Sequence, residues 1–278
     1  MKLVPNATAI AIFATVLAVT LAACGTGGPG ASGAGNNSQG ETMKVGIHFD
    51  QPGLGLKQGS TYSGFDVDVA NYVAGKMGKK PEFVQASVSQ RETLLQTGQV
   101  RYIAATYVIT EPRREKVSFA GPYFVAHQDL LVRADDTSIT GVESLTGKKL
   151  CSVKGSTSTA VLLKMNPKIN LQEYDSDALC VDALRSGAVD AHTTEDDILA
   201  GFAAQEANRG KLRVVGNPFS TEEYGVGIKK GDTEFCKRAS EALTEFVSSG
   251  EWKKSVDRNF GAGFQPGKGN PPIPAPCE

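Results

Sequence analysis

The chain has 278 residues, 21% charged and 40% hydrophobic, with 29 Lys and Arg against 30 Asp and Glu. So balanced a charge gives no electrostatic case for nucleic acid. The composition is that of an ordinary globular protein, long enough for one large or two modest domains.

Lys2 precedes an apolar run from Ala7 to Ala23 that ends in Leu21-Ala22-Ala23-Cys24. Small residues directly before a cysteine are what a lipoprotein signal peptidase reads, and the run is short for a ~30 Å hydrocarbon core. Residues 1–23 are therefore expected to be a lipoprotein signal peptide, with Cys24 the acylated first mature residue. The Gly/Ser/Asn-rich residues 24–41 read as a flexible tether. That arrangement places the protein outside the cytoplasm, lipid-anchored to the outer face of the cytoplasmic membrane.

Residues 43–49 alternate as a strand does, and Gln51-Pro52-Gly53 breaks them. Phe65, Val69, Ala70, Val73 and Met77 recur at helical spacing over 65–79, closed by Gly78. A strand at 83–86, a helix at 90–97 and a strand at 100–106 follow. Thr110-Glu111-Pro112 opens a short helix, with Thr110 a good N-cap. The second half repeats the pattern. Strands are expected at 149–153, 169–173, 189–194, 212–215 and 224–228. Helices are expected from Gly155-Ser156-Thr157-Ser158 toward Met165, at 175–186, at 196–208 and at 233–249. Alternating strands and helices predict α/β layers with mainly parallel sheets, and the echo between the halves suggests two lobes.

Besides Cys24, the four cysteines Cys151, Cys180, Cys236 and Cys277 form an even set in an oxidising location, with three pairings open. Cys151 and Cys180 share one strand–helix region and are expected to pair. Cys277 would then tie the Pro-rich tail to Cys236. No CxxC spacing occurs, and His48, His127 and His192 are scattered, so no metal site is expected. No Ser/His/Asp or Cys/His arrangement suggests an enzyme.

Ser63-Gly64-Phe65-Asp66-Val67-Asp68-Val69-Ala70 resembles a signature of the extracellular solute-binding proteins (family 3) that take polar amino acids for ABC importers. The same resemblance runs through Ala104-Ala105-Thr106, Ile109-Thr110-Glu111-Pro112-Arg113, Phe119-Ala120-Gly121-Pro122-Tyr123, Leu145-Thr146-Gly147-Lys148-Lys149 and Gly187-Ala188-Val189-Asp190-Ala191. These motifs stand in the family's order from about residue 43 to 260. Asp50-Gln51-Pro52-Gly53-Leu54-Gly55, Gln90-Arg91-Glu92-Thr93-Leu94 and Leu150-Cys151-Ser152-Val153 are similar to the glutamate-binding lipoproteins of that family. The resemblance implies a two-lobed α/β fold of the type II periplasmic-binding-protein kind, with two crossing hinge segments near 126–131 and 222–227. Lobe 1 would take 42–128 and 224–278, and lobe 2 would take 129–223. It also implies a monomer without a cofactor that delivers glutamate or aspartate to a separate permease and ATPase. A sensing lobe for a separate membrane signalling partner, or a dehydratase-like enzyme of the same fold, are the other readings.

An α-amino acid needs donors for its carboxylate and acceptors for its ammonium. Arg113 stands where the family places its ligand arginine, and a guanidinium meets two oxygens at once; its other reading is an exposed helix arginine. Ser156 and Thr157, at a helix start, offer opposing donors or simply an N-cap. Counting five residues from Asp190 gives Glu195 for the ammonium, with Asp196 the alternative; the family usually has Asp there. The backbone of the Thr106–Val108 segment would complete that cage. Arg91 or His48 would meet a side-chain carboxylate, with Gln51 beside them. Val108 replaces a small hydroxyl, His48 a common Lys, and His192 an apolar residue. Phe65 and Tyr123 read as core or as ligand platforms, and Trp252 as core or surface.

Overall fold

The computed structural model describes residues 41–261 and 264–277. The expected signal peptide, Cys24 and the tether as far as residue 40 lie outside them.

β1 (Thr42–Ile47) is followed by a meander of β2 (Asp50–Gln51), β3 (Gly55–Gln58) and β4 (Thr61–Ser63), which the sequence reading lacked. Helix α1 (Phe65–Lys76) carries Asp66 and Asp68 in its first turn, where the helix dipole favours acids. Then come β5 (Lys80–Gln85), a 3₁₀ turn at Val88–Gln90, α2 (Arg91–Gln96), β6 (Tyr102–Ile103), α3 (Glu111–Arg114), β7 (Val117–Ala126) and β8 (Gln128–Arg133). β6 is shorter than expected because Thr106 takes a positive φ of 41° and turns the chain.

After a 3₁₀ turn at Val142–Leu145, the chain forms β9 (Lys149–Val153), α4 (Thr157–Met165), β10 (Asn170–Tyr174), α5 (Asp177–Ser186), β11 (Ala191–Glu195), α6 (Asp196–Ala204) and β12 (Leu212–Val214). Ser156 and Ser176 cap α4 and α5, and Gly187 ends α5 at φ 78°. β13 (Glu222–Lys229), α7 (Thr233–Ser248) and α8 (Glu251–Phe260) complete the ordered elements.

Two five-stranded sheets result, in the orders β5-β1-β6-β13-β7 and β10-β9-β11-β8-β12. In each sheet four strands point one way and one, β13 or β8, runs against them. The chain leaves the first sheet at Ala126, enters the second at Gln128, and returns through β13, where Glu222 and Glu223 pair with Ala126 and Val125.

The first lobe packs around Phe65, whose ring meets Tyr123, Phe124, Phe246, Trp252 and Phe260. Each fully buried aromatic among them contributes roughly 1.5–3 kcal/mol by area, and Phe260 is half-buried. Trp252 donates its indole N–H to the Tyr123 carbonyl at 2.8 Å. Phe65, Tyr123 and Trp252 are therefore core residues. The second lobe has a smaller aliphatic cluster of Leu130, Val132, Ile139, Leu145, Leu150 and Leu162. The cysteines pair as expected, Cys151–Cys180 joining β9 to α5 and Cys236–Cys277 fastening the tail to α7. The tail runs along β7: Ala275 N donates to the Gly121 carbonyl, and the Asn270 amide bonds both the N–H and the C=O of Val125.

Candidate functional site

Between the lobes lies a small cavity of about 20 Å³, lined by Gln51, Val88, Arg91, Thr106, Val108, Arg113, Val153, Ser156, Thr157, Asp177, Thr194, Glu195 and Ile198. It gathers most of the residues the sequence singled out. On one side it is shut by α6 against the turn after β2: a Cβ at Gly201 would sit 2.1 Å from the Pro52 carbonyl oxygen, so only glycine permits that approach.

Arg113 comes from α3, whose N-cap Thr110 accepts from the Arg113 N–H. Its guanidinium donates to the Val108 carbonyl at 2.9 Å and, across the cleft, to the Gly155 carbonyl at 3.0 Å. Arg91, from α2, donates to the carbonyls of Val88, Ala105 and Thr106. The two guanidiniums lie over one ring, Tyr107, at 5.2 and 4.3 Å from its centroid. Arg91 is 2% exposed, yet among the described residues it has no carboxylate within ion-pair distance. Burial, then repulsion from Arg113, pulls it down to about 10, so it stays charged at neutral pH.

Thr106 is the single non-glycine residue at positive φ among the described residues. A conformation of this kind costs about 1–3 kcal/mol and persists only where the surroundings enforce it. Here the Thr106 N–H donates to Asp66 at 2.8 Å, its hydroxyl donates to Gln51, and its carbonyl accepts from Arg91. Asp66 is in turn fixed by the Tyr123 hydroxyl at 2.7 Å. The carbonyls expected to face an ammonium thus already serve the two arginines.

From the second lobe, the Ser156 hydroxyl accepts from the Thr159 N–H, as an N-cap does, and lies 3.1 Å from the Ser152 hydroxyl. The Thr157 hydroxyl donates to Glu195 at 3.4 Å and accepts from the Gln128 amide. Glu195 is buried and also accepts from the Thr194 hydroxyl at 2.6 Å. Burial raises its carboxyl above the usual range, against the pull of that hydrogen bond. Asp196 does not line the cavity. It accepts from the His127 and Asp197 N–H groups, and its own N–H donates to the His127 carbonyl, so it fastens the crossing point.

His48 is not suited to be a cation for a side-chain carboxylate. Burial first, then Arg91, pull it down to about 3, leaving a neutral ring at physiological pH. Three acidic groups near the cleft escaped the sequence reading. Asp177, at the start of α5, accepts from the Gln51 amide at 2.8 Å and lies 3.1 Å from His192 Nε2. Burial pushes Asp177 up, but the hydrogen bonds and charge from His192 and the Gln51 amide outweigh it and hold it below the usual range. Glu222 accepts from Gln128 at 2.8 Å and is pushed up to about 7 by burial, then by Glu195. Asp197 accepts from the Tyr224 hydroxyl at 2.9 Å. Helix-start acids such as Asp177 and Asp197 read as ordinary dipole partners in sequence, and only the fold turns them inward.

A guanidinium on one wall and a carboxylate on the other, both desolvated, complement a small zwitterion. The donor atoms of Cys151, Cys180 and His192 lie within 4.8 Å of one another, but both sulfurs are spent in the disulfide. No helix among the described residues is long and apolar enough to cross a membrane.

The chain is 43% identical over 274 residues to the glutamate-binding protein GluB of Corynebacterium efficiens, covering 92% of each. It is 34% identical over 267 residues to the ABC transporter glutamine-binding protein GlnH of Bacillus subtilis, covering 91% of this chain and 95% of that one. Among solved structures, an ancestral arginine-binding protein bound to glutamine superposes with a TM-score of 0.75 at 32% identity, over 79% of this chain and 98% of that one. With residues 43–262 matching throughout, the chain belongs to the bacterial extracellular solute-binding proteins, family 3.

Proposed function

We propose that the protein captures a polar α-amino acid, glutamate or aspartate best, between its two lobes and delivers it to an ABC permease and its ATPase. It does so as a monomer outside the cytoplasmic membrane, held there by lipid on Cys24. Lobe 1 takes 42–128 and 224–278, and lobe 2 takes 129–223. Arg113 clamps the α-carboxylate, aided by Ser156 and Thr157, and Glu195 receives the ammonium. Because those groups come from different lobes, ligand favours the closed form, the one that offers both sets of bonds. Asp196 serves the crossing and not the ligand.

The observation that carries the acidic ligand is Arg91, a buried guanidinium on the same cavity as Arg113 that hydrogen-bonds to carbonyls and lies over the Tyr107 ring. Two cations facing one small space suit two carboxylates. The names of GluB and GlnH, a glutamate binder and a glutamine binder, point to the same ligand size. The test is a thermal-shift screen of the twenty amino acids on the protein without its leader. A ligand at 100 times its dissociation constant adds about 2.7 kcal/mol of stability, so glutamate and aspartate should give the largest shifts. No shift with any amino acid would overturn the reading.

A further inference from the structure

One wall of the cavity contains a chain of buried polar groups that capture of the α-amino and α-carboxyl groups does not require. Gln51 donates to Asp177 Oδ2 at 2.8 Å and accepts from the Thr106 hydroxyl at 3.3 Å. Asp177 Oδ1 lies 3.1 Å from His192 Nε2, and His192 Nδ1 lies 3.2 Å from the Cys151 carbonyl oxygen. His192 is fully buried and Asp177 nearly so.

The protons can be counted. A carbonyl oxygen only accepts, so His192 Nδ1 carries a proton. Nε2 then faces a carboxylate oxygen, and one further proton must lie between them. Asp177 Oδ2 already accepts a hydrogen bond from Gln51, which stabilises the ionised acid over the neutral one, so that proton is assigned to the imidazole. Arg91, 2% exposed and on the same cavity, supplies another cation. Arg91, Thr106, Gln51 and Asp177 are linked in that order by hydrogen bonds; with Arg113, Thr157 and Glu195 assigned above to the α-carboxylate and the ammonium, this linked set is left for the side chain of the ligand.

We infer that His192 and Asp177 form a buried ion pair that keeps Asp177 from opposing Arg91 at the side-chain end of the cavity, favouring a carboxylate side chain over its amide. His192 is a positioning residue here, acting on the ligand through Asp177 and Gln51. The inference rests on the amino-acid reading above. Arg91 and His192 are positive, Asp177 negative and His48 neutral, while Asp66, fully buried against the Thr106 N–H, is an acid that none of the variants changes. Asp50, half-buried beside this end, is common to every variant and cancels in their comparison.

Calorimetry with L-glutamate and L-glutamine on the parent, His192→Leu, Asp177→Asn and the double variant tests it. His192→Leu leaves an unbalanced carboxylate opposing Arg91, so the glutamate-to-glutamine preference should fall by about tenfold or more. Asp177→Asn lets a neutral imidazole accept from the new amide while Nδ1 still donates to Cys151, so the preference should survive whatever happens to absolute affinity. The double variant should recover the preference that His192→Leu loses. An unchanged preference in His192→Leu, or no recovery in the double variant, overturns the inference.

Nitrogen-15 spectra of the His192 ring supply a measurement that does not depend on how His192→Leu folds. Two protonated nitrogens are expected in the parent and one in Asp177→Asn; one in the parent overturns the ion pair. If the parent binds neither amino acid, the ligand reading fails and the selectivity claim with it, while the ring spectra still judge the ion pair separately.

Discussion

The two lobes share a sheet plan, with the fourth strand in each row running against the other four, but are held together differently. Every ring-on-ring contact among the described residues belongs to the first lobe, where α7 and α8 return to bring Phe246, Trp252 and Phe260 onto Phe65. The second lobe, one continuous stretch, has an aliphatic cluster, a disulfide from β9 to α5 and the buried His192–Asp177 contact. Non-directional packing needs mass, and the second lobe has less of it. Directional and covalent links make up the difference. They also leave their mark on the cleft: the first lobe's arginines are steadied by backbone carbonyls, the second lobe's acids by side-chain networks.

The hardest test of this contrast is at the seam. Arg113→Ala removes both the proposed carboxylate clamp and the bond to Gly155 across the cleft. Removing one member of a buried, bonded charge pair costs roughly 3–5 kcal/mol, and a tenfold change in affinity is about 1.4 kcal/mol. Binding of the best amino acid from the screen should weaken by about a hundredfold or more, with Arg113→Lys a poor rescue. Equal affinity by calorimetry would remove Arg113 from the site.

Next in size is the covalent tie. Cys151 and Cys180 are 29 residues apart, for which chain entropy predicts a loss of roughly 3–4 kcal/mol on removal. In Cys151→Ala/Cys180→Ala, amide exchange should quicken in β9, β10 and β11 before it does in β1 and β6. Equal acceleration in both sheets would mean that the lobes unfold as one cooperative unit.

The smallest effect concerns Glu222, on the returning strand. Its carboxyl rises from 4.5 to about 7 in the folded chain, so the folded state keeps a proton that the unfolded state releases. Stability should therefore fall as pH rises through that window, by on the order of 3 kcal/mol from this group. Glu222→Gln should flatten that part of a denaturation-against-pH profile. An unaltered slope would assign the dependence to other groups, such as Asp66, which burial raises to about 6.

Much of the architecture was legible locally. The strand–helix alternation and the Thr110, Ser156 and Gly187 caps follow from short-range signals, and both disulfide pairs from an even cysteine count with Cys151 and Cys180 in one strand–helix region. β7 was not, because Gly121 and Pro122 interrupt it and a proline argues against a strand. The meander of β2 to β4 was hidden behind Pro52-Gly53, and α8 behind its polar sequence. In the site, Arg113, Arg91, Thr157 and Glu195 could be named in advance and do share one cavity. Asp177 and Glu222 could not, and His192 stood out only as replacing an apolar residue, since each acquires its meaning from a partner distant in the chain: Gln51, Gln128 and Cys151 respectively. Long-range polar pairing has no period to read.

The strip from Asn270 to Cys277 has a consequence for how copies of this protein tolerate one another. β7 is an outer strand, and an outer strand ordinarily offers its free backbone groups to any neighbour able to extend the sheet. Here the Asn270 amide takes both groups of Val125, Ala275 takes the Gly121 carbonyl, and the Cys236–Cys277 bond keeps the strip from peeling away. Pro271, Pro272, Pro274 and Pro276 have no N–H to pass the ladder onward. The strip is a stop codon written in hydrogen bonds: it ends the sheet chemically, so crowding many copies side by side does not invite them to polymerise along that edge.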